Sequence, residues 1–552
     1  MDQHDIDRVI NQYALAAWRC QEGGLDGCEI LIHGHLPGQF LTSFTNNRND
    51  EYGGSLQNRL RFTLELLSAV RKQVDESFII GIRIEMTTTG IKGTDEEEFL
   101  QAAQLLEQSG LIDYLSLNFG RIDSDYHLSR MLPAMWSPLA PWVSLAGKFR
   151  KSLKLPVLHA CKVADLSSAR HAIENGLLDL VGMTRAHMAD PYIVKKLESG
   201  MPETIRPCVG AGYCIDRIYG EGEALCLHNV ATGREATLPH VIKPAEGPRK
   251  TICIVGAGPA GLEAARVGAL RGHTIILFEA SNAAGGQLRV AAKATWRKDL
   301  VGIVDWYVSE LERLAVDIRY NVFAGSEEIL SVNPDIVIVA TGGVPDTDFV
   351  PGGEHAISVW DALDGAKLSG DILIYDDHGQ HQAVSCADHL SEQADVSVEL
   401  VTPDRHAAAE MGGVNYPEYM RRFHEKGVTV TPDYRLSGIE RQGNRLTLEF
   451  KSEYTGSRIT RTADHAIVEH GTLPADELYY ELAPSSVNDG QLDYQSLTTG
   501  FSQTEAAKTV AESGPTDVQV ETGFHLYRVG DAIACRNVHA AILDSLRLVK
   551  DL

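Results

Sequence analysis

The sequence lacks the features that would mark a membrane, secreted or nucleic-acid-binding protein. No run of 18 apolar residues occurs in its 552 residues, so no stretch reads as a membrane-spanning helix. The first residues, MDQHDIDRV, are acidic and polar and predict neither a signal peptide nor an anchor. Cysteine is sparse. Nine residues are too few for a disulfide scaffold, and three of them cluster, which points to a reducing, cytoplasmic setting with a metal site. Basic residues are outnumbered, 50 Lys and Arg against 75 Asp and Glu, and the net charge of −25 argues against nucleic acid and anionic membranes as partners. There is no internal repeat and no low-complexity tract. What remains, 44% hydrophobic and 23% charged, is an ordinary globular composition, long enough for three or four domains.

The most informative stretch present is Thr251–Leu262, TICIVGAGPAGL. Ile252 to Val255 read as a buried parallel strand, Gly256, Gly258 and Gly261 have GxGxxG spacing, and a helix-like run follows. Glycines there let the backbone turn tightly and approach a pyrophosphate, which then sits on the electropositive helix N-terminus. Glu279 ends the next apolar strand, 18 residues past Gly261, where an acid binds a ribose hydroxyl. Gly285-Gly286-Gln287, Ala340-Thr341-Gly342-Gly343 and Val529-Gly530-Asp531 accompany the motif. Together they predict a site for FAD or a related adenine dinucleotide.

Residues 1–200 alternate helix-like runs with short apolar strands near 28–32, 78–85, 112–118, 155–160 and 178–182. Such β/α alternation implies an α/β fold with a parallel sheet. Ser55 can cap a helix whose apolar face is Leu56, Leu60, Leu64 and Leu67. Residues 206–248, with scattered Cys, Gly and Pro, read as a segment organised by a metal rather than a core. Residues 249–369 and 471–552 read as the dinucleotide domain, with a second α/β unit, 370–470, inserted.

Asn46–Phe62, NNRNDEYGGSLQNRLRF, together with Gly81-Ile-Arg83, Val181-Gly-Met-Thr-Arg185 and Ala189-Asp-Pro191, resembles the old yellow enzyme type of flavin (β/α)8 barrel. The whole chain resembles the trimethylamine dehydrogenase / 2,4-dienoyl-CoA reductase family. Within it, Cys208–Arg234 is most similar to the demethylases of dimethylglycine and N-methylproline. The resemblance implies an eight-stranded barrel, whereas five strands precede the cysteine segment. The chain is therefore expected to be truncated at its N-terminus, with an incomplete barrel of about five βα units and FMN binding in question.

The resemblance also implies site residues. Arg83 matches the arginine facing the flavin N1/O2 edge, and Gly182 and Arg185 match the phosphate-binding turn. His33 and His35 compete for the place of the family histidine. Asp123 and Asp125 fall near an aspartate that could hold an amine cation or accept its proton. Tyr126 and Trp136 could form an aromatic wall for an N-methyl ammonium or simply pack in a core.

Cys208, Cys214 and Cys226 are spaced C-x5-C-x11-C, with Ala211 where iron–sulfur members of the family carry a further cysteine. A [4Fe–4S] cluster with a non-Cys ligand such as His228, a [3Fe–4S] cluster, a zinc site and three free thiols all remain open. In the second α/β unit, Asp376-Asp377-His378-Gly379 stands where glycines would admit a pyrophosphate, a poor NAD(P) site. The implied activity is oxidative demethylation of a small N-methylated amine by FMN, with FAD or ADP in the adenine domain. Electrons would leave through the metal centre to an acceptor protein, and a homo-oligomer is compatible. An NAD(P)H-dependent ene or dienoyl-CoA reductase, or a truncated chain without activity, are the alternatives.

Overall fold

The computed structural model describes residues 1–88, 96–220, 222–499 and 523–552. They form two compact units, residues 1–187 with 413–417, and residues 188–412 with 418–552. Residues 188–205, expected with the first domain, thus belong to the second unit, and 413–417, expected within the insertion, belong to the first.

The first unit is built on five parallel strands in chain order, β1 (Gly27–Leu31), β2 (Ile79–Glu85), β3 (Tyr114–Asn118), β4 (Val157–His159) and β5 (Leu180–Val181). They lie at the five apolar runs of the sequence. Parallel neighbours need a crossover connection, and helices supply it. In the helix Leu56–Gln73, Ser55 accepts from the Asn58 N–H at 3.3 Å, and Leu60, Leu66, Leu67 and Val70 are fully buried. Alternation along β2 divides its two faces. Ile80, Ile82 and Ile84 lie in the apolar core, while Gly81, Arg83 and Glu85 look the other way. Register places Glu29, Gly81 and Tyr114 in one row of that face, and Leu31, Arg83 and Ser116 in the next. Among the described residues β1 and β5 are the sheet's two edges and do not pair with each other.

The second unit contains β6 (Thr251–Val255), β7 (Thr274–Glu279), β8 (Asp317–Tyr320), β9 (Ile336–Val339), β10 (Gly343–Pro345), β11 (Ile357–Ser358), β12 (Gly370–Asp376) and β13 (Val396–Val401). It continues with β14 (Thr429–Thr431), β15 (Tyr434–Gln442), β16 (Arg445–Ser452), β17 (Arg458–Ala463), β18 (His465–Glu469), β19 (Thr472–Pro474) and β20 (His525–Arg528). One parallel sheet has the order β20-β9-β6-β7-β8, its edge strand β20 coming from beyond residue 470. A second has the order β11-β18-β12-β13-β14 and begins at Ile357, before the expected boundary at 370. Within 370–470, in addition to the α/β unit that the sequence predicts, lies an antiparallel ribbon, β15-β16-β17. Its Leu446, Leu448 and Phe450 are buried on one face in strict alternation, the pattern of a half-covered antiparallel sheet. The cysteine segment is also more than a metal-organised linker, since Leu225, Val230, Ala231 and Leu238 are buried. No helix among the described residues is long and apolar enough to cross a membrane.

Gly81 shows how tightly the polar face of the first sheet is drawn. A Cβ there would stand 2.1 Å from the Tyr114 ring, which crosses over the glycine so that its hydroxyl reaches Glu29 at 3.2 Å. Gly81→Ala is expected to cost roughly 1–3 kcal/mol by overpacking, read as a lowered urea midpoint against the wild-type chain.

Candidate functional site

The carboxyl ends of β1, β2 and β3 bring together a set of buried polar groups. His33, just past β1, is buried, and its Nε2 lies 2.7 Å from the Gly120 carbonyl oxygen. A carbonyl only accepts, so Nε2 carries the proton and Nδ1 keeps its lone pair. Burial holds this imidazole down to about 4, against the pull of the Gly120 carbonyl, so it stays neutral at physiological pH. His35, the rival candidate, is exposed and merely precedes the short helix Leu36–Leu41, without a side-chain cap. Of the two histidines, the fold builds only His33 into the cluster.

Glu85, the last residue of β2, was not singled out from sequence. Its Oε1 accepts from the Gly34 N–H at 3.1 Å, and its buried Oε2 has no partner. Burial pushes its carboxyl up to about 7, opposed by the backbone donors and by nearby Arg121. Beyond β3, Arg121 pairs with Asp123, and Asp123 Oδ1 accepts from His127 Nδ1 at 2.6 Å. Burial works against the Asp123 carboxylate, but Arg121 and His127 outweigh it and lower its pKa. His127 is buried, and its Nε2 has no hydrogen-bond partner. Asp125, by contrast, is exposed in the first turn of the helix Asp125–Met131, against the backbone of Gly413.

Arg83 lies on the polar face but is already engaged, with Nη2 2.6 Å from Glu29 Oε1 and Nε 3.3 Å from Ser116 Oγ. Arg185 Nη1 donates to the Pro133 carbonyl at 2.9 Å, and the Gly182 N–H donates to His159 O at 2.9 Å. The expected aromatic wall holds a cation of the chain itself. Arg130 lies 5.2 Å from the Tyr126 ring centroid and 4.6 Å from that of Trp136.

The second unit holds the glycine cradle. Gly256 (φ 102°) turns at the end of β6, where a Cβ would stand 2.4 Å from Ala340 O, and a Cβ on Gly261 would stand 1.8 Å from Gly256 O. Gly258, which caps the helix Pro259–Leu270, is different, because a Cβ there meets no protein atom within 4 Å. The space it leaves lies before the helix N-terminus, where N–H groups lack intrahelical partners. Gly286 (φ 50°) passes close to Gly258, and Gln287 Nε2 donates to Asp531 Oδ2 at 3.1 Å, beside Gly530. Glu279 accepts from the Ala257 N–H at 2.7 Å and from Ser281, and a carboxylate so placed retains acceptor capacity. These residues fit an adenine dinucleotide.

The three clustered cysteines fit a metal less well. Cys226 Sγ accepts from the Asn229 N–H at 3.4 Å, and its thiol is pushed up by burial and by neighbouring Cys208. Cys214 sits on a separate helix, Tyr213–Tyr219. Among the described residues no three His, Cys, Asp or Glu side chains gather closely enough to hold a metal ion. His228, the fourth-ligand candidate, is buried edge-on against Trp306 and Tyr307 with Nε2 unpartnered.

Residues 1–204 match the NADH:flavin oxidoreductase / NADH oxidase family. A probable N-methylproline demethylase of Rhizobium meliloti (strain 1021) is 44% identical over 554 residues, covering 100% of this chain and 80% of the relative. The chain belongs to this flavin oxidoreductase family. It is an FMN-dependent enzyme. A multifunctional alkene reductase/demethylase of Caballeronia cordobensis is also 44% identical, over 99% of this chain and 78% of its own. Histamine dehydrogenase from Rhizobium sp. 4-9 shares the fold, with a TM-score of 0.86 at 23% identity over 100% of this chain and 77% of that one. These comparisons lend no support to the expected N-terminal truncation.

Glu85 gives the site a pH signature. Its folded carboxyl titrates above its unfolded value of about 4.5, so its contribution to stability is complete below that value and is lost as pH rises through about 7. Between about pH 5 and about pH 8 the wild type should lose on the order of a few kcal/mol relative to Glu85→Gln, read from urea midpoints at each pH.

Proposed function

We propose that this oxidoreductase oxidatively demethylates a small N-methylated amine or amino acid and hands the electrons to an acceptor protein. The observation that carries the reading is similarity along the whole chain to two proteins named as demethylases. In this reading the five-stranded sheet is part of a flavin (β/α)8 barrel and the other parallel sheets are Rossmann-like, the first binding FAD or ADP through Gly256, Gly258, Gly261, Glu279, Gly286, Gln287, Gly530 and Asp531.

FMN would be held at the carboxyl edge of the first sheet by Arg83, Gly182 and Arg185, and when bound it supplies a hydride acceptor. The unpartnered buried Glu85 Oε2 and His127 Nε2 support a polar ligand at that edge. Asp123, ionised and exposed, holds the substrate ammonium by charge. His127, its Nδ1–H fixed on Asp123, keeps a lone pair at Nε2 for the ammonium proton. Neutral His33 accepts from the substrate at Nδ1. Loss of hydride from the N-methyl group leaves an iminium, which water converts to the secondary amine and formaldehyde. No step is routed through Cys208, Cys214 and Cys226.

Mixing the purified protein anaerobically with N-methylproline or dimethylglycine should bleach the flavin and release formaldehyde. Alkene reduction driven by NADH without amine oxidation would overturn the reading. Asp123→Asn should lower kcat/KM by roughly a hundredfold or more, with flavin content unchanged. Gly258→Val should lower bound adenine nucleotide at nearly unchanged Tm, whereas Gly261→Ala should lower both, because only the second Cβ meets protein.

A further inference from the structure

The two large parallel sheets of the second unit share a winding and differ at one place. In the first, the chain runs β6-β7-β8 outward and then returns with β9 on the other side of β6. In the second it runs β12-β13-β14 outward and returns with β18 on the other side of β12. Each sheet therefore has a switch point beside its central strand, the crevice in which doubly wound sheets bind their ligands. At the first switch point stand Gly256 and Ala340. At the second stand Asp376 and Glu469, register partners at the ends of β12 and β18.

The loop after β12 is closed by its own side chains. Asp376 is fully buried, and its Oδ1 accepts from the N–H groups of both His378 and Gly379 at 3.1 Å. Those amides precede the helix His381–Leu390 and are the donors a pyrophosphate would take in a working dinucleotide turn. Glu469 accepts from His378 Nδ1 at 3.1 Å and from the Gly471 N–H at 3.2 Å. Asp377 is bound to His470 Nδ1 at 2.7 Å. Above the turn, a Cβ on Gly379 would stand 3.1 Å from Asp404 Oδ2 and 3.5 Å from Glu410 Cγ. Carboxylates thus occupy the place of the anion and also surround it.

We propose that Asp376 fills the second dinucleotide site from within, its carboxylate taking the two amide N–H groups a pyrophosphate needs, and so sets the electron-donor specificity of this chain against NADH and NADPH. The consequence for electron flow rests on the demethylase reading, but the closure does not. A side-chain oxygen already on the N–H groups must leave before a phosphate can take them.

The test is titration of the holoprotein, its adenine cradle filled, with NADH and with NADPH, read by nicotinamide fluorescence without turnover. The wild type should show no saturable binding. Asp376→Ala frees the two amides and should bind either nucleotide at least roughly tenfold more tightly. Asp376→Asn still caps the amides through its side-chain oxygen, and should stay as closed as the wild type. Asp376→Gly gives a second open variant should the alanine chain not fold. Saturable binding by the wild type, an equal gain in the Asn variant, or no gain in either folded open variant would each overturn the proposal. Failure of the demethylase reading would show instead as absent flavin reduction by amines, which this titration does not read.

Discussion

Parallel strands can be joined only by a chain that leaves one end of the sheet and returns across its face to begin again at the other. In this protein that requirement gathers the strand ends of each parallel sheet on one edge and leaves the crossovers to cover the faces. The chemistry of each edge is then a matter of which residues end the strands. In the first sheet they are Glu85 and, just beyond the strands, His33 and the Asp123–His127 pair. In the second unit one sheet ends in glycine and alanine at its switch point, and the other in two carboxylates.

Burial sets the state of these groups. A neutral imidazole at His33 and a carboxyl at Glu85 that titrates near neutrality are both products of desolvation outweighing the local donors and acceptors. Asp123 differs because it is exposed and has two basic partners, so it stays ionised. Neutral acceptor, neutral-range carboxyl and fixed carboxylate thus arise within one loop cluster from differing exposure.

Much of the fold was legible because its signals are local. The five apolar runs of the first unit, the Ser55 cap and the glycine turn after β6 each depend on a few adjacent residues. The less legible features depend on distant ones. His33 and His35 are two positions apart, and only the approach of Gly120 from beyond β3 separates them. Glu85 carried a faint signal, an acid ending an apolar strand, but its burial comes from neighbours on other strands. Tyr126 and Trp136 read as an aromatic wall or as core packing, and Arg130, within the same stretch, lies against both rings. The ribbon β15-β16-β17 and the early start of the second sheet at Ile357 are not legible locally, because a strand's place in a sheet comes from its pairing with distant residues.

The sequence by itself determined where the five strands of the first unit fall, that a glycine turn leads from β6 into its helix, and that the flavin family applies, because these rest on periodicity and on motifs of contiguous residues. Only the tertiary structure decided which histidine joins the buried cluster, that Asp123 and His127 form a couple, and that Asp376 turns inward onto the amides of its own loop. Those outcomes depend on burial and on contacts between strand ends far apart in the chain, and no local pattern encodes either.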